Sequence, residues 1–242
     1  MRRVSAKFVP RLLTAEQKDD SVSVCTDLRE HAQNDPNFMS SVITGDESWV
    51  YRCDLETKQV SSQCKTASSL RPKKARQVKS NVKTMLIAFF DIDGLVHHEY
   101  IPREHTLNKE CYKTVLQCLC DAVHRHRPEK WRSGIWILHH DNAPARRAVT
   151  TNEFLAKHNI PSLPHPPYSP GLALCDFFLF PQLMKTVKGR QFDDFEEIEA
   201  NATRQMRAVT KSDYQRCFHQ WQERWNKCIQ AQGHYFKGNK TN

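Results

Sequence analysis

An α/β fold is predicted for this 242-residue chain by three observations. Apolar, β-prone runs (41–43 with 49–51, 85–90 and 135–138) alternate with stretches whose apolar residues recur at spacings of three and four. The composition, 39% hydrophobic and 10% aromatic, supplies one substantial core or two small ones. Three aspartates sit where they can meet: Asp46 and Asp141 in or after β-prone runs, and Asp176 at the opening of an apolar, helix-like stretch.

Residues 1–40 read as a linker followed by an N-terminal helix, and 41–242 as the main domain. Phe8 to Leu13 is the ordered end of the linker, and Thr14 with Gln17 forms a capping box for a helix reaching about His31. Val42–Tyr51 is the first strand, with Asp46 in its middle. The basic, serine-rich stretch 52–83 suits an extended loop or ribbon. Met85–Phe90 is a buried central strand, and Asp93-Gly94 signals a hairpin before Leu95-Val96 and Tyr100-Ile101. Thr106 caps a helix that carries Tyr112, Val115, Leu119 and Val123 on one face. Gly134 precedes a strand over Ile135–His140, whose carboxyl end presents Asp141, the usual place for a ligand site in an α/β sheet. A helix over Thr150–His158 and a short strand near Pro161–Pro164 lead to a helix begun around Ser169 or Cys175, with Pro170 suited to a first helical position. Residues 194–232 carry two helical stripes, Phe195, Ile198, Ala202 and Met206, then Tyr214, Phe218, Trp221, Trp225 and Ile229, with Gly233 as the C′ residue of the second.

No apolar run is long enough to span a membrane, and Met1-Arg2-Arg3 is not followed by a signal-peptide core. The formal charge of +9 and pI near 9.1 favour a polyanionic partner. Nine cysteines without a Cys-x₂-Cys pair read as reduced thiols, and Cys118 and Cys120 would face different sides of a helix, which disfavours zinc. No small-molecule organic cofactor is expected.

Carboxylates on rigid elements suit a hard divalent cation, which prefers oxygen ligands. Two such ions can activate an attacking oxygen and stabilise a leaving one in phosphoryl transfer. Without a cation the three acids would repel one another and raise at least one pKa. Asp91 and Asp93 are rival acids, but Asp93 is explained by its turn. Asn142 is either a turn residue or a group that orients a carboxylate or phosphate. His139 and His140, adjacent on a strand, face opposite sides and make a poor zinc pair. Phe177, Phe178, Phe180, Trp221 and Trp225 read as core. The run from Arg71 to Lys83 holds six basic residues and no acid, and serves either as a phosphate contact or as a solvated face or nuclear-import address.

Three blocks resemble the signatures of mariner-family transposases: Ile43-Thr44-Gly45-Asp46-Glu47-Ser48-Trp49; His139-His140-Asp141-Asn142-Ala143-Pro144; and Pro164 to Pro170 followed by Cys175 to Pro181. Asp141 and Asp176 are separated by 34 residues, the family's spacing between its second and third catalytic aspartates. The resemblance runs from about Phe8 to Phe236. It implies a ribonuclease H-like fold of the retroviral integrase superfamily, a mixed sheet flanked by helices. It also implies that Asp46, Asp141 and Asp176 are catalytic and hold two Mg²⁺ or Mn²⁺ ions for DNA cleavage and strand transfer in cut-and-paste transposition. The implied nucleophiles are water and then a DNA 3′-hydroxyl, with no covalent protein intermediate. Because the corresponding family region packs against the partner subunit and DNA, Arg71, Lys73, Lys74, Arg76 and Lys79 are expected to touch phosphates. The family's Trp-Val-Pro-His-Glu-Leu linker motif, which contributes to dimer contacts, is matched in part at Phe8 and Arg11-Leu12-Leu13, so a homodimer is a weaker expectation. A nuclear location is implied, and the family's amino-terminal helix-turn-helix is not found, which would leave this chain without end specificity.

Several positions depart from the family. Gly171-Leu172-Ala173-Leu174 stands for Asp-Leu-Ala-Pro, and the glycine is expected to loosen the turn that aims Asp176. Arg146 stands where a His normally follows, and Cys64 where a Trp is usual. These changes suit a drifted copy, and they motivate a rival reading as a catalytically silent, transposon-derived DNA-binding protein. A generic nuclease such as a resolvase leaves the three blocks unexplained.

Overall fold

A computed structural model describes residues 9–51, 83–102, 107–187, 192 and 194–236. Arg71, Lys73, Lys74, Arg76 and Lys79 lie outside the described residues, as do Phe8, Cys64 and Thr106.

The sheet runs β3-β2-β1-β4-β5. Strands β1 (Val42–Tyr51), β2 (Lys83–Asp91) and β3 (Gly94–Ile101) form an antiparallel meander, while β4 (Ile137–His139) and β5 (Ser162–Leu163) add in parallel on the other side of β1. The ladder of β4 is shorter than its apolar run, which starts at Ile135. Period-two alternation along β2 sends Ile87 and Phe89 into one apolar cluster and Leu86, Ala88 and Phe90 into another. The sheet is thus covered on both faces, which explains why β2 reads as an unbroken apolar run.

One face is covered by α3 (Lys109–His126) and α5 (Val149–Lys157), whose Tyr112, Val115, Leu116, Leu119, Phe154 and Leu155 pack on Ile43 and Leu138. The other carries α1 (Ala15–Asn34), α7 (Phe195–Ala208) and α8 (Lys211–Gln230), with Leu28, Ile198, Met206, Phe218 and the fully buried Trp221 and Trp225. Phe178 and Phe180 join this second cluster, and the half-buried Phe177 packs against it beneath the Arg224 guanidinium, 4.0 Å from its ring centre.

Local chemistry sets the helix ends. Thr14 and Gln17 form the reciprocal capping box of α1, and the helix runs past His31 to Asn34. The cap of α3 is Asn108, which accepts from the Cys111 N–H, so the helix starts later than a Thr106 cap would place it. Two short helices carry no apolar stripe long enough to betray them, α2 (Phe38–Ser41) and α4 (Pro128–Ser133). The latter starts on proline and stops at Gly134, whose φ is 64°. Residues 170–172 make a turn, and a π-helical turn over Cys175–Leu179 runs into α6 (Phe180–Val187), so Pro170 does not begin a helix.

Helix α8 ends in a Schellman motif: Gln232 N–H donates to Ile229 O and Gly233 N–H to Cys228 O. The C′ residue is therefore Gln232 (φ 51°), and Gly233 (φ 73°) is the residue after it. Gly233 is held to glycine a second way, since a Cβ there would lie 2.2 Å from the Lys18 carbonyl oxygen of α1.

Candidate active site

Asp46 lies midway along β1, opposite Ala88 of β2. Two residues before it, Thr44 pairs with His139 of β4, so the chain leaving β4 delivers Asp141 beside Asp46. Gly45 makes room for this packing. The Phe89 ring of β2 lies across it, and a Cβ at Gly45 would sit 2.1 Å from that ring.

The end of β4 is fixed by a buried histidine network. His139 bonds Thr44 Oγ1 through Nδ1 (3.0 Å) and His165 through Nε2 (3.2 Å), with its ring centre 4.8 Å from that of Trp221. His140 faces the other way and meets the Tyr112 hydroxyl at 2.7 Å. Burial favours the neutral rings, pushing His139 well down and His140 and His165 to about 4. Asn142 donates to the His165 carbonyl, tying the exits of β4 and β5 together. Of its two sequence readings, the structure gives it this loop-bracing role. The signal for His139 and His140 as scaffold is their adjacency on a strand, whereas the contribution of His165 and Tyr112 is set by tertiary packing.

At the centre stands Arg146, whose side chain is 1% exposed. A turn brings it back toward Asp141, with the Arg146 N–H donating to Ala143 O. One guanidinium nitrogen, Nη2, donates to Asp46 Oδ1 at 2.8 Å and pairs with Glu47 Oε2, while Nη1 donates to Asp141 Oδ1. Backbone N–H groups complete the two carboxylates, Glu47 to Asp46 Oδ1 (2.8 Å) and Ala143 to Asp141 Oδ1 (2.9 Å). The Arg146 Nε is buried without a hydrogen-bond partner among the described residues, and the Tyr112 ring lies 5.7 Å from its guanidinium carbon.

Asp46 and Asp141 thus meet on one cation that the chain itself supplies. Glu47, which on sequence alone could be a solvated neighbour, joins them. Asp176 enters on the π-helical turn and is exposed, yet it feels the other two electrostatically. Its carboxyl is pushed up to about 7, first by desolvation, then by the negative charges of Asp46 and Asp141, with Arg146 opposing. Asp46 and Asp141 are also raised, mainly by burial, with the guanidinium opposing at Asp46 and the Ala143 N–H at Asp141. Among the described residues, no three His, Cys, Asp or Glu side chains are close enough, as they stand, to hold one ion. The oxygen-only donor set suits Mg²⁺ or Mn²⁺, and the point shared by Asp46 and Asp141 already accommodates a positive group.

The turn that aims Asp176 is firmer than a glycine at 171 suggests. Trp221 Nε1–H donates to Leu172 O (2.8 Å) and Arg224 Nη1–H to Gly171 O (3.0 Å). Gly171 does not use the left-handed region, and a Cβ there would make ordinary contacts, 3.7 Å to Phe236 and 3.9 Å to Arg224. The expected loosening is therefore offset by two side chains of α8.

A family profile described as Transposase (partial DDE domain) matches residues 54–133. The chain is 30% identical over 234 residues to the Mariner Mos1 transposase of Drosophila mauritiana, covering 96% of this chain and 66% of that protein's length. The crystal structure of the Mos1 mariner paired end complex with Mn superposes with a TM-score of 0.87 at 28% identity, over 98% of this chain and 68% of that one. The Mos1 catalytic domain superposes with a TM-score of 0.78 at 28% identity, over 95% of this chain and all of that domain. The ribonuclease H-like sheet, the order of the aspartate-bearing elements and these likenesses converge: the chain belongs to the mariner-family transposases, which it matches through their catalytic domain.

Proposed function

We propose that the chain performs the DNA cleavage and strand transfer of cut-and-paste transposition, with Asp46, Asp141 and Asp176 as its catalytic and metal-binding residues. The observation that carries this reading is the meeting of Asp46, on β1, and Asp141, just past the end of the neighbouring β4, on a single positive group, with Asp176 electrostatically coupled to both. Asp46 comes from β1 and Asp141 from the chain two residues past the end of β4, whose pairing with β1 brings the two side by side. Asp176 sits on the π-helical turn that follows a turn braced by Trp221 and Arg224. When bound, two Mg²⁺ or Mn²⁺ ions supply the Lewis acidity that activates the attacking oxygen and stabilises the leaving one. The neutral His139 and His140 hold the Asp141 backbone without adding charge that would repel a cation.

DNA is the proposed substrate and partner, supported by the +9 charge and by the paired end complex in which the Mos1 relative was solved. Arg71, Lys73, Lys74, Arg76 and Lys79 are proposed to contact phosphates, a homodimer to be the assembling unit, and the nucleus to be the place of action.

The test is nicking of plasmid DNA in Mg²⁺ or Mn²⁺ by the chain and by Asp141→Asn. The proposal expects metal-dependent nicking by the former and its loss in the latter, since an amide keeps the shape but removes the charge. Equal nicking by the variant rejects the role of Asp141.

A further inference from the structure

We infer that Arg146 is a built-in cation that competes with divalent metal for Asp46 and Asp141, so that metal enters as the guanidinium leaves. The inference rests on the metal role proposed for the three aspartates, and concerns how that site is regulated.

Several features point to competition rather than to a permanent structural strut. The two Nη atoms use Asp46 Oδ1 and Asp141 Oδ1, one oxygen from each of the carboxylates proposed to hold metal. A guanidinium and a metal ion cannot share those lone pairs at full strength, because both are satisfied by short, charge-assisted contacts. Among the described residues, the guanidinium spends its hydrogen bonds on these acids, and its buried Nε is left without one. A strut would be expected to satisfy that donor as well. Arg146 also lies in the turn between Asp141 and α5 rather than within a helix, and the Asp141 side chain it grips is 40% exposed, so one of its carboxylate partners borders solvent.

The consequence for the metal-free protein is a site whose mutual repulsion is already partly offset by an internal cation. A metal must then displace a bound positive charge in addition to shedding water. The chain should therefore hold its fold without metal and bind metal more weakly than its carboxylates alone would allow.

The experiment is calorimetric titration of the 242-residue chain with Mn²⁺, compared with Arg146→Gln, which removes the charge, and Arg146→Lys, which keeps it. Competition predicts that the Gln variant binds Mn²⁺ about tenfold or more tightly than the unmodified chain, with the Lys variant close to the latter. Equal or lower affinity in the Gln variant overturns the competition while leaving the metal role of the aspartates intact. Absence of Mn²⁺ binding by all three chains overturns the metal role, and the competition with it. Should the Gln variant fail to fold, the unmodified chain gives the answer through the Arg146 side-chain Nε–H signal in a Mg²⁺ titration monitored by NMR. The signal is expected to move and its hydrogen exchange to quicken as Mg²⁺ binds. A signal unchanged at saturating Mg²⁺ contradicts the inference.

Discussion

Arg146 and Asp91 show two opposite uses of a buried ion pair in one chain. Asp91 is fully buried at the end of β2, and both its oxygens are taken: by Arg127 at 2.8 and 2.9 Å, by Lys130, and by the N–H groups of Asp93 and Gly94 at 3.0 and 3.1 Å. It is the brace of the β2–β3 hairpin, and no oxygen of its carboxylate is left over for the role proposed for Asp46, Asp141 and Asp176. These partners hold its carboxyl below the usual range despite the desolvation that opposes them. Asp91→Asn is expected to cost about 3 kcal/mol of unfolding free energy at pH 7, the lower end for breaking a buried pair because Arg127 and Lys130 keep some solvent contact. The sign with pH follows: a depressed carboxyl contributes stability above its unfolded value and loses it as pH falls through the folded one. Chemical denaturation at pH 7 and below pH 3.8 should show the gap between the two proteins narrowing in acid; a gap constant with pH would contradict the assignment. At this scale the three aspartates are legible in the sequence because each sits in a recognisable block. The grip of Arg146 is not, because the sequence shows a substitution while the turn at Ala143 and the neighbouring strand decide what the new side chain touches.

Among the elements, β1 bears the tightest constraint. Gly45→Ala would drive a methyl into the Phe89 ring, so the strand or ring must shift in the layer that carries Asp46. A loss of about 1–3 kcal/mol is expected, the usual cost of overpacking. Adding Phe89→Leu should recover part of it, and additive losses in urea denaturation would show that the two residues do not meet. Gly233→Ala is expected to be as costly for a different reason, since its obstacle is the Lys18 backbone of α1, which no rotamer can move. The extent of β1 is legible in the sequence to the residue, because the β-prone runs Val42-Ile43 and Trp49-Val50-Tyr51 bracket its polar middle, whereas the apolar run Met85–Phe90 shows only the core of β2, whose ladder extends to Lys83 and Asp91. Helix starts are less so. At α3 the sequence points to Thr106 as the cap, whereas Asn108, two residues on, is the side chain that accepts from the Cys111 N–H. The π-helical turn at Asp176 leaves no compositional trace at all.

Over the whole molecule, 36 basic residues outnumber 27 acidic ones, and the proposed DNA contact should be dominated by phosphate neutralisation. The logarithm of DNA affinity should fall linearly with the logarithm of salt concentration. Replacing Arg71, Lys73, Lys74, Arg76 and Lys79 together by Gln should reduce the slope by up to about 4 to 5, at roughly 0.9 for each phosphate no longer neutralised. A slope unaffected by the replacement would remove these residues from the DNA interface. Fold class is readable at this scale from the alternation of strand and helix patterns. The meeting of Asp46 and Asp141 depends instead on β4 pairing in parallel beside β1, a long-range choice that no local pattern contains. The most direct test of that meeting point is anomalous scattering from crystals of the chain soaked in Mn²⁺. Two peaks roughly 3.5–4 Å apart are predicted among Asp46, Asp141 and Asp176, with the Arg146 guanidinium withdrawn. Saturating Mn²⁺ with no peak between these aspartates, or with Arg146 still in place, would contradict that prediction.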